Sequence, residues 1–168
     1  TIFHEIGILY PGYKNCSMVK SNEITEHSIF AYLLYKEFSP YPELARIILY
    51  HNKKHGVDHA VSNIVVPDEA YLLSLAVAIA EVIVYSKEED INKNVAERIK
   101  ENDFKPEYKE VLEQLYEENM LSRITTGEYR VELLSYIGTI KLSKAEIISL
   151  LRTFIYAITF RSPYNYAH

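Results

Sequence analysis

Ala70 to Tyr85, with the sequence AYLLSLAVAIAEVIVY, is the longest apolar run in the chain, and this run decides the fold. Only Ser74 and Glu81 interrupt it. The run is shorter than the roughly 18–20 uninterrupted apolar residues that cross a membrane. A helix that is apolar on all sides is normally buried. We therefore predict a buried central helix at 68–86 and no membrane span.

Amphipathic helices are predicted on both sides of this segment. The spacing of apolar residues, with Asn22 as the first cap, places them at 23–38, 42–52, 91–101 and 106–119. His27 and His51 fall on the core-facing stripes of the first two. A buried imidazole needs a partner, because an unsatisfied polar group in a core costs about 1–3 kcal/mol. That partner is either a metal ion or a backbone carbonyl.

The remaining segments are predicted as loops, caps and further helices. Residues 52–67 are expected to form a loop, and Asp90 is expected to cap the helix that follows it. Residues 127–142 fit either a helix ended by Gly138 or a hairpin over 131–142. Ser143-Lys144-Ala145-Glu146 has the pattern of a capping box, which predicts a helix from Lys144 to Phe160.

The bulk properties favour a soluble cytoplasmic protein of one domain, or one domain plus an appendage. The 168 residues are 48% hydrophobic, which is enough for a sizeable core. A net charge of -5 argues against binding to a nucleic-acid polymer. The single Cys16 rules out an internal disulfide framework, and the N-terminus has no signal-peptide pattern. The start at Thr1 predicts a fragment or a processed product.

Three histidines in short polar motifs suit one metal site. They lie in His4-Glu5-Ile6-Gly7, in Glu26-His27-Ser28 and in Tyr50-His51-Asn52. Imidazole and carboxylate groups together suit iron, manganese, zinc and similar divalent ions. The order of these motifs, followed by the long apolar helix, resembles the HD superfamily of metal-dependent phosphohydrolases. It is most similar to the HD-GYP branch, whose members hydrolyse cyclic di-GMP.

This resemblance covers roughly residues 1–118 and implies an all-α, HD-domain-like helical bundle. It implies metal ligands at His4, Glu5, His27 and His51, and as cofactor one or two divalent ions, or none where the site is lost. The helices that precede the motif in the family, with an upstream ligand histidine, are not in this sequence. We therefore predict a core at 1–119 without those helices. Residues 120–168 would form a helical extension that either completes this core or begins a second degenerate HD unit.

The sequence departs from the family pattern at catalytic positions. Glu5 replaces the aspartate, Ile8 replaces a phosphate-contacting lysine, and Asn52 replaces the second of two adjacent histidines. No GYP triplet follows, and residues 75–79 contain no acid where the family has an aspartate. A weaker candidate set of ligands in the following loop is His55, Asp58 and His59, for which a solvated loop is the favoured interpretation.

Two functions from different classes follow from these departures. The first is a degenerate HD-GYP-like signalling domain with reduced or no catalysis. It would bind a nucleotide or phosphate-ester ligand, a signalling protein or a second copy of itself. The second is an active metal-dependent phosphodiesterase that hydrolyses cyclic di-GMP or another phosphate ester. The departures favour the first, and they assign no catalytic residue.

Overall fold

The computed structural model describes residues 4–9, 26–55, 65–101 and 104–161. Every regular element in these ranges is helical, which confirms the predicted all-α class. The α-helices are α1 (Glu26–Phe38), α2 (Ala45–Leu49), α3 (Asp68–Tyr85), α4 (Ile91–Ile99), α5 (Pro106–Glu117), α6 (Met120–Thr126), α7 (Tyr129–Ile137) and α8 (Lys144–Arg161). Three 3₁₀-helices accompany them, at His4–Leu9, Pro42–Leu44 and Glu88–Asp90.

The helices belong to two compact units. The first contains the N-terminal 3₁₀-helix, α1, α2, the start of α3 and α8. Its core is built from apolar residues of segments far apart in the sequence: Ile6, Ala31, Leu34, Tyr35, Ala45, Ile48 and Ala157. Leu34 and Ile48 are almost completely buried. Burial of side chains of this size stabilises a fold by about 1.5–3 kcal/mol each.

The second unit contains α3 from Ser74 onward and α4 to α7. In α4, Ile91, Val95 and Ile99 recur every four residues and form one buried stripe. The rest of this core comes from α3 and from single residues further along the chain: Leu75, Ala78, Ile79, Phe104 and Leu121.

The predicted single core around residues 70–85 is wrong in one respect. The buried residues of α3 from Ser74 onward pack with α4 and α6, whereas α1 and α2 pack in the core of the first unit. Moreover, α3 buries a stripe rather than its whole circumference, because Leu72, Val84 and Tyr85 are exposed. None of the described helices is both long and apolar enough to cross a membrane.

Some predictions for the C-terminal third of the chain are confirmed and others are wrong. The capping box forms as predicted: the Ser143 amide donates to Glu146 Oε2 at 2.7 Å, and the Glu146 amide donates to Ser143 Oγ at 3.2 Å. The alternative hairpin over 131–142 is wrong, because α7 covers residues 131–137 and residues 138–142, which the structure describes, form no strand. The predicted helix ended by Gly138 is confirmed as α7, although Gly138 is right-handed; the left-handed glycine is Gly127, with φ 79°, which ends α6.

Two further helix caps were predicted, at Asp90 and at Asn22. Asp90 is the N-cap residue of α4, as predicted, but its side chain makes no hydrogen bond to the helix. Asn22 lies outside the described residues, as does the middle of the predicted loop at 52–67. The division of the chain at residue 119 stays a prediction, although α8 packs against α1 and the N-terminal 3₁₀-helix within the first unit.

Candidate metal centre

Three elements of the first unit bring the candidate ligands together. The N-terminal 3₁₀-helix carries His4 and Glu5, α1 carries His27, and the turn after α2 carries His51. Helix α2 ends at Leu49. In the turn that follows, the backbone amide of His51 donates a hydrogen bond to the Ile48 carbonyl at 3.4 Å. His51 is fully buried, and the side chain of His27 is 3% exposed.

Gly7 allows the 3₁₀-helix to lie directly on α1. A Cβ atom built at Gly7 would overlap the carbonyl of His27 and would come within 3.1 Å of the Ala31 Cβ. Any side chain at this position would therefore push the two elements apart. Glu5 lies two residues before Gly7 in the same 3₁₀-helix, so this close approach is what brings its carboxylate to His27 and His51.

The Glu5 carboxylate is the centre of the cluster. Its Oε1 lies 3.3 Å from His4 Nε2 and 3.4 Å from His51 Nε2, and its Oε2 lies 3.7 Å from His27 Nε2. The rings of His4 and His51 meet edge to face with centroids 5.3 Å apart, and those of His27 and His51 with centroids 5.5 Å apart. Three imidazoles thus surround one anionic side chain that is 40% exposed.

The surrounding groups oppose protonation of Glu5. Burial raises the pKa of the Glu5 carboxyl, but polar contacts from His4 and His51 and the charges of His27 and His51 outweigh it. The net result is a pKa well below the usual range of a glutamate, so Glu5 is an anion near neutral pH. Burial is also the main cause that lowers the pKa of His27, and the Glu5 charge opposes it.

The two ring nitrogens of His51 face different groups. Its Nδ1 lies 2.6 Å from the Ile48 carbonyl, which can only accept, so Nδ1 carries the proton. In a neutral imidazole the other nitrogen, Nε2, then has a lone pair. This Nε2 is buried and makes no hydrogen bond, although it faces Glu5 Oε1. A cation between the two atoms would satisfy both.

His27 is held differently. The Asn52 amide nitrogen lies 3.3 Å from His27 Nε2 and 3.3 Å from Ser28 Oγ. Ser28 Oγ is itself 3.5 Å from the same ring nitrogen. Asn52 therefore acts as a hydrogen-bond donor to α1. The sequence shows that Asn52 follows His51, but nothing in the local pattern indicates that it reaches back to α1.

The other three candidate ligands, His4, Glu5 and His51, have a spacing that suits a metal ion. Among the described residues, one ligand atom from each of His4, Glu5 and His51 can be chosen so that all lie within 4.8 Å of one another. Ligand atoms about 2.0–2.2 Å from a tetrahedral ion lie roughly 3.3–3.6 Å apart. The two distances from Glu5 Oε1 to imidazole nitrogens, 3.3 and 3.4 Å, fall in this range. The donor set therefore fits a divalent ion.

The other candidate ligands are not part of this group. His55 is half-buried, follows the turn after α2 and belongs to the second compact unit. Asp58 and His59 lie outside the described residues. The chain was also compared with protein-family models, with curated proteins and with solved structures, and none of the three comparisons gave a match.

Proposed function

We propose that this chain is a degenerate HD-GYP-like signalling domain that holds one divalent metal ion. It would bind a phosphate-ester or nucleotide ligand, or a protein partner, with little or no hydrolysis. The observation that carries the proposal is the buried Nε2 of His51, which faces the Glu5 carboxylate without a hydrogen bond. Leaving such an atom unsatisfied costs about 1–3 kcal/mol, and a bound cation removes that cost.

The small number of anionic ligands supports a single ion. Glu5 is the one carboxylate in the group of His4, Glu5 and His51. Two divalent ions bring four positive charges, which one carboxylate and neutral imidazoles neutralise poorly. Two-metal sites stabilise both the attacking and the leaving oxygen of a phosphate ester. A one-ion site without the lysine that Ile8 replaces is therefore suited to binding more than to turnover.

Metal analysis of the purified chain tests the proposal. We expect about one equivalent of zinc, iron or manganese per chain, and a Glu5→Gln variant that binds the ion at least about tenfold more weakly. Glu37→Gln is the matched control, because Glu37 is an exposed residue of α1 outside the cluster. Wild-type protein that binds none of these ions would overturn the proposal.

A phosphodiesterase assay separates the signalling domain from the alternative enzyme. We expect weak or no hydrolysis of cyclic di-GMP with added iron or manganese, and direct binding of a phosphate-ester ligand to the metal-loaded chain. Robust turnover that disappears in His4→Ala would instead support the active phosphodiesterase. Such a result would mean that further groups complete the centre.

A further inference from the structure

We infer that Asn52 is a positioning residue that keeps His27 out of the ion's ligand set and so leaves a coordination position for an exogenous oxyanion. This inference rests on the proposed one-ion site. It concerns which residues bind the ion and what fills the position that they leave.

The first step is the hydrogen bond itself. An amide nitrogen donates and cannot accept, so Asn52 Nδ2 engages the lone pair of His27 Nε2 at 3.3 Å. A metal ion would need the same lone pair. The Asn52 amide also reaches Ser28 Oγ at 3.3 Å, and Ser28 is fully buried. The two contacts hold the amide in place in an environment where a broken hydrogen bond is costly.

The second step is the position of His27 at the edge of the cluster, next to Glu5 but outside the group of His4, Glu5 and His51. The His27 Nε2 lies 3.7 Å from Glu5 Oε2, only slightly further than the spacing from Glu5 Oε1 to the other two imidazoles. His27 would have to move toward His4 and His51 to bind an ion held by Glu5, and its hydrogen bond to Asn52 opposes that movement. The Asn52 hydrogen bond is therefore what separates a site with three protein ligands from one with four.

The third step concerns the open position. Structural zinc sites have four protein ligands, whereas three protein ligands leave room for water or a ligand. The cluster opens to solvent on the side of Glu5 and His4, whose side chains are 40% and 19% exposed. A phosphate oxygen is a suitable fourth ligand because it is small, anionic and a good donor to a divalent ion.

Cobalt substitution makes the coordination visible by absorption. We expect inorganic phosphate to change the visible spectrum of the Co²⁺-loaded wild-type chain. In Asn52→Ala, His27 would fill the open position, so the cobalt affinity would rise about tenfold and the phosphate response would be lost. The matched control is Asn94→Ala, which removes a similar amide-to-serine hydrogen bond, from Asn94 to Ser86, in the second unit. It should behave like wild type.

A double-mutant cycle tests the same point through affinity. His27→Ala should change the cobalt dissociation constant by less than about threefold in wild type, but should weaken binding about tenfold in Asn52→Ala. If His27→Ala fails to fold, the spectrum of Asn52→Ala still decides, since that variant keeps the ring. A phosphate response that survives in Asn52→Ala would overturn the inference, as would wild-type binding that needs His27 as much as His51. Failure of wild type to bind cobalt, zinc, iron or manganese would instead remove the proposed site itself.

Discussion

At the scale of single residues, Gly7 and Asn52 position the cluster of Glu5 and the three histidines. Gly7 determines how close the N-terminal 3₁₀-helix comes to α1, since a Cβ there would overlap the His27 carbonyl. The Asn52 amide bonds to His27 Nε2 but not to His51 Nε2, so in the proposed site it selects which of these two imidazoles binds the ion. Neither residue is a metal ligand in the proposed site. Both would act by positioning the residues that bind the ion in that site.

Gly7→Ala tests the first of these roles. The added methyl group must displace either the 3₁₀-helix or α1, and overpacking of this kind typically costs about 1–3 kcal/mol. We expect a lower melting temperature and a loss of metal affinity, because Glu5 moves away from His51. Thermal melts followed by circular dichroism and metal titrations measure both effects.

The control for this variant is Gly138→Ala. Gly138 ends α7 in the right-handed helical region, and an added Cβ would meet the Leu134 carbonyl at 3.2 Å. Alanine is tolerated in that conformation, so the stability should change by less than about 1 kcal/mol and metal affinity not at all. Gly7→Ala that retains wild-type metal affinity would show that the close approach is not what places Glu5.

At the scale of elements, the start of α8 is determined by its own sequence. Ser143 and Glu146 satisfy each other's backbone amides, and these two contacts need no other part of the fold. The side-chain and backbone hydrogen bonds with Ser143 lower the pKa of Glu146. The hydrogen bonds between Ser143 and Glu146 and the negative charge of Glu146 therefore both stabilise the N-terminus of α8, where a negative charge is favourable.

This capping box predicts how α8 responds to pH. A carboxyl whose pKa is lower in the folded than in the unfolded state stabilises the fold above the unfolded value, here 4.5. The contribution is lost as the pH falls through the folded value. Amides of the first turn of α8, such as that of Ile147, should thus lose protection from hydrogen exchange in acid. Glu146→Gln should remove this pH dependence.

Ser143→Ala should weaken the same turn at all pH values, by the roughly 0.5–2 kcal/mol that the loss of a helix cap costs. Ser135→Ala, an exposed position within α7, is its control and should leave the protection of α8 unchanged. Equal loss of protection in both variants would mean that the cap does not stabilise the start of α8.

At the scale of the whole molecule, the described residues form two hydrophobic cores that share no residue. The candidate metal centre lies entirely within the first unit, because its residues all precede Lys54. A bound ion stabilises only the folded form of the unit that holds it. At a free concentration 100 times the dissociation constant, this stabilisation is about 2.7 kcal/mol.

A matched pair of leucine truncations tests this separation. Leu34 and Leu121 are both buried, one in each core, and Leu→Ala at such sites costs about 2–5 kcal/mol. We expect added metal to restore hydrogen-exchange protection in α1 of Leu34→Ala, but not in α4 of Leu121→Ala. Metal that protects both variants equally would show that the two cores unfold together.

The sequence alone predicts those features that depend on neighbours within a few residues. The all-α class follows from apolar periodicity, and the start of α8 follows from Ser143 and Glu146. The sequence also singles out His4, Glu5, His27 and His51 as candidate ligands, because their residue types and motifs are visible in the chain itself. Helical periodicity and capping are local, so these inferences need no knowledge of the tertiary structure.

The tertiary structure decides which distant stripes meet. Periodicity shows that α3 is apolar but not which helices cover it, so one expected core is found as two. Likewise, His51 was predicted on a helical stripe, like His27, but it lies in the turn after α2, and Asn52 bonds to His27 and not to His51 Nε2. These outcomes depend on close packing between segments far apart in the chain, as at Gly7, where the space for a single methyl group places the candidate site.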